Sequence, residues 1–402
     1  MSKTSTTGNH GEDVRSDCLV KISLSTKGGI KLKLESRVER MYGDQIRSLI
    51  KDMLSFFQIK HADILLQDSG ALDFVLAARM EASIRQLIGD TREYLLPSVD
   101  NKVIPSDRDR TRFTRLYIPG NTPKLMLNAG IHKADCIILD LEDSVAPAKK
   151  EEARLLVRNA LRTVNFFKSE KMVRINQLPQ GLEDLDIIIP QNVNVILIPK
   201  TETPVQVKMV ADRIVKVDKG SKVWIIPIIE SALGIENAFL IASASPKIVA
   251  VAIGLEDYTA DIGVNRTKSG EESLYARLRL VNACKAAGVQ PLDSVFTDVA
   301  DAAGLKESAV RSKSLGFEGM GCIHPRQIGI VQECFMPGSE ETEKACRIVM
   351  AFEAAESKGL GVVSLGSKMI DRPVVKRALT TITLAERFGI LKKNWRQGYE
   401  KD

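Results

Sequence analysis

Residues 136–161 read CIILDLEDSVAPAKKEEARLLVRNAL, and this stretch decides the fold. It opens on an apolar run, Cys136 to Leu139, that ends in the acids Asp140, Glu142 and Asp143. The segment AKKEEARLLVRNAL then carries apolar residues at helical spacing. A nearly continuous Val/Ile/Leu strand followed by an amphipathic helix is the unit of a parallel sheet covered on both faces. The same kind of strand recurs on either side. RLYIPG (115–120) precedes it, and MVRIN (172–176), VILIPK (195–200) and VWIIPIIES (223–231) follow. IVAVAIGLED (248–257), LDSVFTDV (292–299) and GMGCIHP (319–325) complete the series, with helical segments such as YARLRLVNACKAAG between strands. Eight such units in about 210 residues predict a closed (β/α)8 TIM barrel over 113–338. An open sheet of six or seven strands is the other arrangement this pattern allows.

Upstream, CLVKISL and IKLKLE alternate apolar and polar residues around a GG turn. A helix over 38–57, the strand ADILLQDSG and the helix LDFVLAARMEASIRQLI complete a small α+β domain over 16–88. Residues 1–15 are polar and read as a disordered tail. Residues 89–112 carry two prolines and many charges without a clear period, and read as a linker. Residues 339–402 read as a C-terminal helical segment placed to cover the barrel mouth or reach a neighbouring subunit.

Of the 402 residues, 44% are hydrophobic and 27% charged, which excludes wholesale disorder. Lys and Arg number 57 against 51 Asp and Glu, a balance of +6. So mild a charge suits an anionic small-molecule partner and does not call for nucleic acid. No apolar run is long enough to span a membrane, and the polar start contains no apolar signal core. The six cysteines form no C-x-x-C pair, so a cytoplasmic protein with reduced thiols is expected. With four histidines, any metal is expected to be a hard ion on carboxylates.

Barrel enzymes place their chemistry at the C-terminal ends of the strands. There the sequence sets Asp140, Glu142 and Asp143, then Arg174, Lys200, Glu230, and Glu256 with Asp257. Each acid alone also suits a helix N-cap, and Arg174 also suits a salt bridge between strands. Together they describe a Mg2+ site, which needs only one or two carboxylates, beside a planar anion donor. His324 reads as a strand-end histidine bonded to backbone. No G-x-G-x-x-G unit, phosphate-binding P-loop or G-x-S-x-G elbow is present.

With these residues in view, 113–390 resembles the citrate lyase β subunit and the malyl-CoA and citramalyl-CoA lyases. RLYIPGN, ILDLEDSVAPAKKEEAR, VRINQL, LIPKTET, IIESALGIENA, IGLEDYTADIG, CIHPRQI and GVVSLGSKMIDRP carry the likeness. It implies a (β/α)8 barrel, usually a homotrimer, that uses Mg2+ to break a carbon–carbon bond in a 3-hydroxyacyl thioester. It implies Glu230 and Asp257 as metal ligands, Arg174 on a substrate oxygen, and Asp371 as acid/base from a neighbouring subunit. Asp140 and Glu142 match positions behind the metal waters, and Tyr117, Pro119 and Asn121 match a thioester-binding loop.

Residues 16–88 resemble the acyl carrier (γ) subunit of citrate lyase, through SDCLVKI, VERMYGDQI and DSGALDFVLAARMEA. That resemblance implies a covalent CoA-like group, phosphoribosyl-dephospho-CoA, on a serine. Alignment on Asp17 puts Arg15 at that position and Ser16 one residue later. Either Ser16 is modified or the domain no longer carries the group. The first alternative implies a citryl-thioester lyase partnered by an acyl-exchange (α) subunit. The second implies a free-standing citramalyl-CoA or malyl-CoA lyase with the N-terminal unit kept for docking.

Overall fold

A computed structural model describes residues 3–99, 105–357, 359–366 and 368–398. The N-terminal module comprises β1 (Thr4–Gly8), β2 (Cys18–Leu24), β3 (Ile30–Ser36), α1 (Glu39–Phe56), β4 (Ala62–Asp68) and α2 (Asp73–Ile88). The sheet order is β1-β2-β4-β3. The GG turn does not close a hairpin, because β4 lies between β2 and β3. β3 feeds α1, and the chain returns as β4 parallel to β3, the crossover that a helix of this length permits.

Two expectations are corrected here. Part of the predicted disordered tail is ordered: Thr4 to Gly8 pair antiparallel with Ser23 to Leu19. Hydropathy misses this strand because its inward residues are hydroxylated and satisfied, Thr7 donating to the Arg79 carbonyl at 2.7 Å and Ser5 to Gln86 Oε1 at 2.6 Å. The predicted linker is largely a packed strap. Val99 N–H donates to Arg162 O (2.9 Å), and Trp224 Nε1 donates to Ser106 O (2.7 Å). Arg112 is fully buried and grips Glu170 through Nε (2.7 Å) and Nη2 (2.8 Å). Residues 100–104 of that linker, and 1–2 of the tail, lie outside the described residues.

Eight parallel strands then close the barrel. They are β5 (Thr114–Pro119), β6 (Cys136–Asp140), β7 (Glu170–Arg174), β8 (Val195–Ile198), β9 (Trp224–Ile229), β10 (Ala250–Ile253), β11 (Gln290–Val295) and β12 (Met320–Cys322). The eight apolar runs of the sequence are these eight strands, and β12 pairs with β5, so the open-sheet alternative falls. Between them run α3 (Pro123–Asn128), α4 (Lys150–Thr163), α5 (Gly181–Ile188), α6 (Pro204–Val217), α7 (Ala232–Glu236), α8 (Ala238–Ala242), α9 (Leu255–Asp261), α10 (Leu274–Ala287) and α11 (Ala302–Leu315), and α12 (Arg326–Phe335) follows β12. Alternate residues such as Ile138, Met172, Leu197 and Ile226 pack together as one buried cluster.

The N-terminal module is joined to the barrel by α2 against α4. Twelve of the sixteen residues of α2 are buried, including Arg79, Glu81 and Ser83. Arg79 donates to Asp17 through Nε (3.0 Å) and Nη2 (3.1 Å), and to Glu152 on α4 through Nη1 (3.1 Å). Arg158 on α4 donates to both oxygens of Glu81 (2.8 and 2.7 Å), and Asn159 Nδ2 donates to Phe74 O (3.0 Å). Residues 1–331 form one compact unit, within which the module predicted over 16–88 is docked on the barrel predicted over 113–338.

Residues 332–402 form a second compact unit that begins within α12, not at the predicted 339. It holds α13 (Ser339–Glu356), the hairpin β13 (Val363–Leu365) and β14 (Lys368–Ile370), and α14 (Arg372–Arg387). Cys346, Val349, Phe352, Ile370, Ile382 and Trp395 give it a core of its own. Among the described residues no helix is long and apolar enough to cross a membrane.

Candidate active site

The barrel strands end around a cavity of about 460 Å3 lined by Tyr117, Pro119, Asp140, Arg174, Glu230 and Asp257, with Arg115 also in its wall. Asp140 closes β6, Arg174 closes β7, Glu230 follows β9, and Asp257 lies in the first turn of α9 after β10. The sequence predicts this convergence from strand ends alone.

Arg174 is clamped. Its Nε and Nη2 donate to the two oxygens of Asp140 at 2.6 and 2.7 Å, and its Nη1 lies 3.1 Å from Glu142 Oε2. The guanidinium sits 5.3 Å from the centroid of the Tyr117 ring. Burial works against its charge, but the hydrogen bonds and charge of Asp140 outweigh burial and hold the Arg174 pKa above its ordinary value. Burial likewise works to raise Asp140, and Arg174 outweighs it, so Asp140 stays below the usual carboxylate range. The inter-strand salt bridge and the planar donor are thus the same group. A bidentate carboxylate fixes the plane, and Arg174 lines the cavity.

Glu230 and Asp257 form the second feature. Glu230 is 6% exposed, and burial together with the adjoining carboxyl of Asp257 pushes its pKa up to about 8. Glu230 Oε1 accepts the backbone N–H of Lys200 (3.1 Å), and Lys200 Nζ reaches Asp257 (3.4 Å) and Glu142 (3.9 Å). Gly254 leaves room for this carboxylate, since a Cβ there would lie 2.6 Å from Glu230 Oε2. Two carboxylates forced together in a half-closed cavity fit a hard divalent cation, which would relieve their repulsion. Among the described residues no three acidic, His or Cys groups form a cage, so the fit is to an ion that keeps positions for water and ligand.

The other predicted residues divide between this cavity and places outside it. Tyr117 and Pro119 line the cavity, but Asn121 does not, and its carbonyl accepts Arg79 Nη2 at 3.2 Å. Glu142 is buried behind Arg174 and held by Gln177 Nε2 (2.9 Å), its pKa raised by burial. Ser16 stands in the turn before β2 at φ +56°, its N–H donating to Ser69 O (3.1 Å). Asp371 belongs to the second unit, where it caps α14 by accepting Val374 N–H at 3.1 Å. His324 Nδ1 accepts the backbone N–H of Arg326 (3.1 Å), as its reading anticipates.

The sequence names Lys200 as a strand-end residue but gives it no role, and it misses Arg115 altogether. The available signal for Lys200 was its place among strand-end acids. Its left-handed backbone at φ +46°, costly for a residue with a Cβ, is visible only in three dimensions.

The HpcH/HpaI aldolase/citrate lyase profile matches residues 114–325. The chain belongs to this family. Residues 6–87 match a second profile, an acyl carrier family described as malonate decarboxylase delta subunit, and that match begins within β1. The citrate lyase subunit beta of Leuconostoc mesenteroides subsp. cremoris is 40% identical over 286 residues, 69% of this chain and 95% of that protein. Human mitochondrial citramalyl-CoA lyase is 36% identical over 286 residues, 67% and 84% of the two chains. Protein CitE of Mycobacterium tuberculosis, solved in complex with magnesium, acetoacetate and coenzyme A, superposes with a TM-score of 0.58 at 30% identity. That match covers 69% of this chain and 99% of the other. This member of the HpcH/HpaI family is a lyase on a closed (β/α)8 barrel, preceded by an acyl carrier-like module.

Proposed function

We propose that the chain cleaves a 3-hydroxyacyl thioester of the citryl type, with Mg2+, into a 2-oxo acid and an acyl thioester. The carrying observation is one cavity holding both the buried Glu230–Asp257 pair and an arginine whose plane is fixed by Asp140. Magnesium, when held by Glu230 and Asp257, supplies Lewis-acid charge for the hydroxyl and adjacent carboxylate of the substrate. Arg174 orients the substrate and donates to the oxygen on which charge develops as the C2–C3 bond breaks. Asp140 keeps that donor in register. Lys200 balances the charge of Asp257 while its backbone N–H orients Glu230. The hydroxyl proton passes to a carboxylate, which returns a proton to the enolate carbon, and we assign this acid/base role to Asp371 of another copy in a homotrimer.

The test is release of 2-oxo acid from citryl-CoA, citramalyl-CoA and malyl-CoA by the purified full chain. Turnover is expected to require Mg2+ and to vanish in Asp257→Ala with the fold intact by circular dichroism. Normal turnover in that variant sinks the metal assignment.

A second reading is favoured by the docking of the N-terminal module. A free-standing lyase on CoA thioesters needs no travelling carrier, and the buried α2–α4 contacts hold the module in place. The peptide mass of residues 1–35 from the native source separates the two. A phosphoribosyl-dephospho-CoA adduct on Ser16 supports a citrate lyase complex with an acyl-exchange α subunit in the cytoplasm. A fully unmodified peptide supports the free-standing lyase.

A further inference from the structure

Arg79, Arg112, Arg115 and Arg158 are among the largest fully buried side chains. Arg79, Arg112 and Arg158 each hold a carboxylate through two nitrogens. Arg115 does not. It is 2% exposed, and its Nη2 donates to the backbone carbonyl of Asp293 at 2.7 Å. Among the described residues its Nε and Nη1 have no hydrogen-bond partner. The carboxylate of Asp293 is already engaged, accepting from Arg277 and from the backbone N–H of Ser294. A guanidinium stays charged under any ordinary condition. Left buried without an anion it costs several kcal/mol, and this chain satisfies its other fully buried arginines.

The place of Arg115 explains the exception. It precedes Tyr117 by two residues on β5, so the two side chains and Pro119 face the barrel interior together and line the same cavity. Its register partner on β12 is Gly321, which also lines the cavity. A Cβ at Gly321 would come 2.6 Å from Val295 and 3.4 Å from the Tyr117 ring, so the glycine keeps this part of the wall clear. The cavity therefore presents two arginines with different commitments. Arg174 spends its fork on Asp140, whereas Arg115 keeps two donors uncommitted one layer deeper.

We infer that Arg115 is a second anion subsite that receives an additional carboxylate of the acyl group, making the enzyme selective for a carboxymethyl-bearing (citryl-type) substrate over one with methyl or hydrogen there. This deepens the function proposed above and rests on it. In the 2-oxo acid product the distinction is between oxaloacetate and pyruvate, which share the keto-carboxylate end and differ by one carboxylate. A buried donor pair built for that carboxylate discriminates strongly against a ligand lacking it, because the donors then stay unpaired.

Calorimetric titration of the full-length protein with Mg2+, using freshly dissolved oxaloacetate and pyruvate, tests this directly. Wild type is expected to bind oxaloacetate at least about tenfold tighter than pyruvate. Arg115→Met is expected to erase that preference while leaving pyruvate affinity within about twofold, and Arg115→Lys to retain part of it. Equal affinity of the wild type for the two acids overturns the inference whatever the variants do, so it does not depend on Arg115→Met folding. Mg2+-dependent binding of both acids without preference rejects the subsite alone. Binding of neither rejects the proposed function with it.

Discussion

Glu230 carries the sharpest solution signature of the site. Its pKa in the folded protein is pushed up to about 8 from an ordinary 4.5, by burial first and by the Asp257 carboxyl second. Folding thus raises the proton affinity of this group. Between about pH 4.5 and 8 the folded state binds more protons than the unfolded one, and stability falls as pH rises through that window. Metal-free protein is expected to lose a few kcal/mol between those limits, read as a falling urea midpoint. Mg2+ is expected to restore the midpoint at the alkaline end and to release about one proton near neutral pH. Glu230→Gln is expected to flatten the profile, and a chelated wild type with a flat profile would show that the pair is not buried as described. Asp140 acts through its neighbour. Asp140→Asn keeps the shape but removes the charge that holds Arg174, and is expected to lower kcat/KM by about 10²-fold, as expected for misplacing a positioned donor. A full rate in that variant, with Arg174→Lys also near wild type, would remove Arg174 from the chemistry.

The helices and strands show which parts of this architecture are written locally. Strands β6, β8 and β10 are largely apolar runs buried on both sides, so their burden of Val, Ile and Leu is visible without neighbours, and the strand-end acids and Arg174 follow from position alone. Strand β1 was not legible, because TSTTG buries hydroxyls through hydrogen bonds to α2 and leaves no hydrophobic trace. Nor was the α2–α4 joint. Arg79 and Glu81 look like the solvated residues of an amphipathic helix until α4 supplies Glu152 and Arg158 from 70 or more residues away. The backbone carbonyl of Asn121 serves that joint too. The joint makes a quantitative prediction. Arg79→Met strands Asp17 and Glu152 in a buried setting and is expected to cost about 3–5 kcal/mol, read by denaturant unfolding. The exposed pair Arg347–Glu343 is the control, where Arg347→Ala is expected to cost under about 0.5 kcal/mol. Similar losses in the two variants would mean that the Arg79 network is solvated and holds nothing.

The whole molecule divides its work between a unit that contains the carrier-like module with the barrel and a second unit with its own core. In the first, Glu230, Asp257 and both cavity arginines line one cavity. In the second, Asp371 sits at the start of α14, with one carboxylate oxygen taken by the cap and a Pro at the first turn fixing the helix entry. A residue so held is presented by a rigid helix end, as a group acting on another copy must be. If Asp371 serves the site of a neighbouring subunit in a closed ring, every site is built from Arg174 of one chain and Asp371 of the next. Arg174→Ala and Asp371→Ala proteins are then each inactive, and unfolding and reassembly in equal amounts leaves about one site in four with both residues native. Activity near that fraction is expected in the whole reassembled mixture, about one site in three in mixed trimers identified by intact mass, and none in either parent. Mixed oligomers that remain inactive would place the acid/base on another residue. Glu142 is the next group to replace, since it is buried, has its pKa raised, and lies 3.1 Å from Arg174.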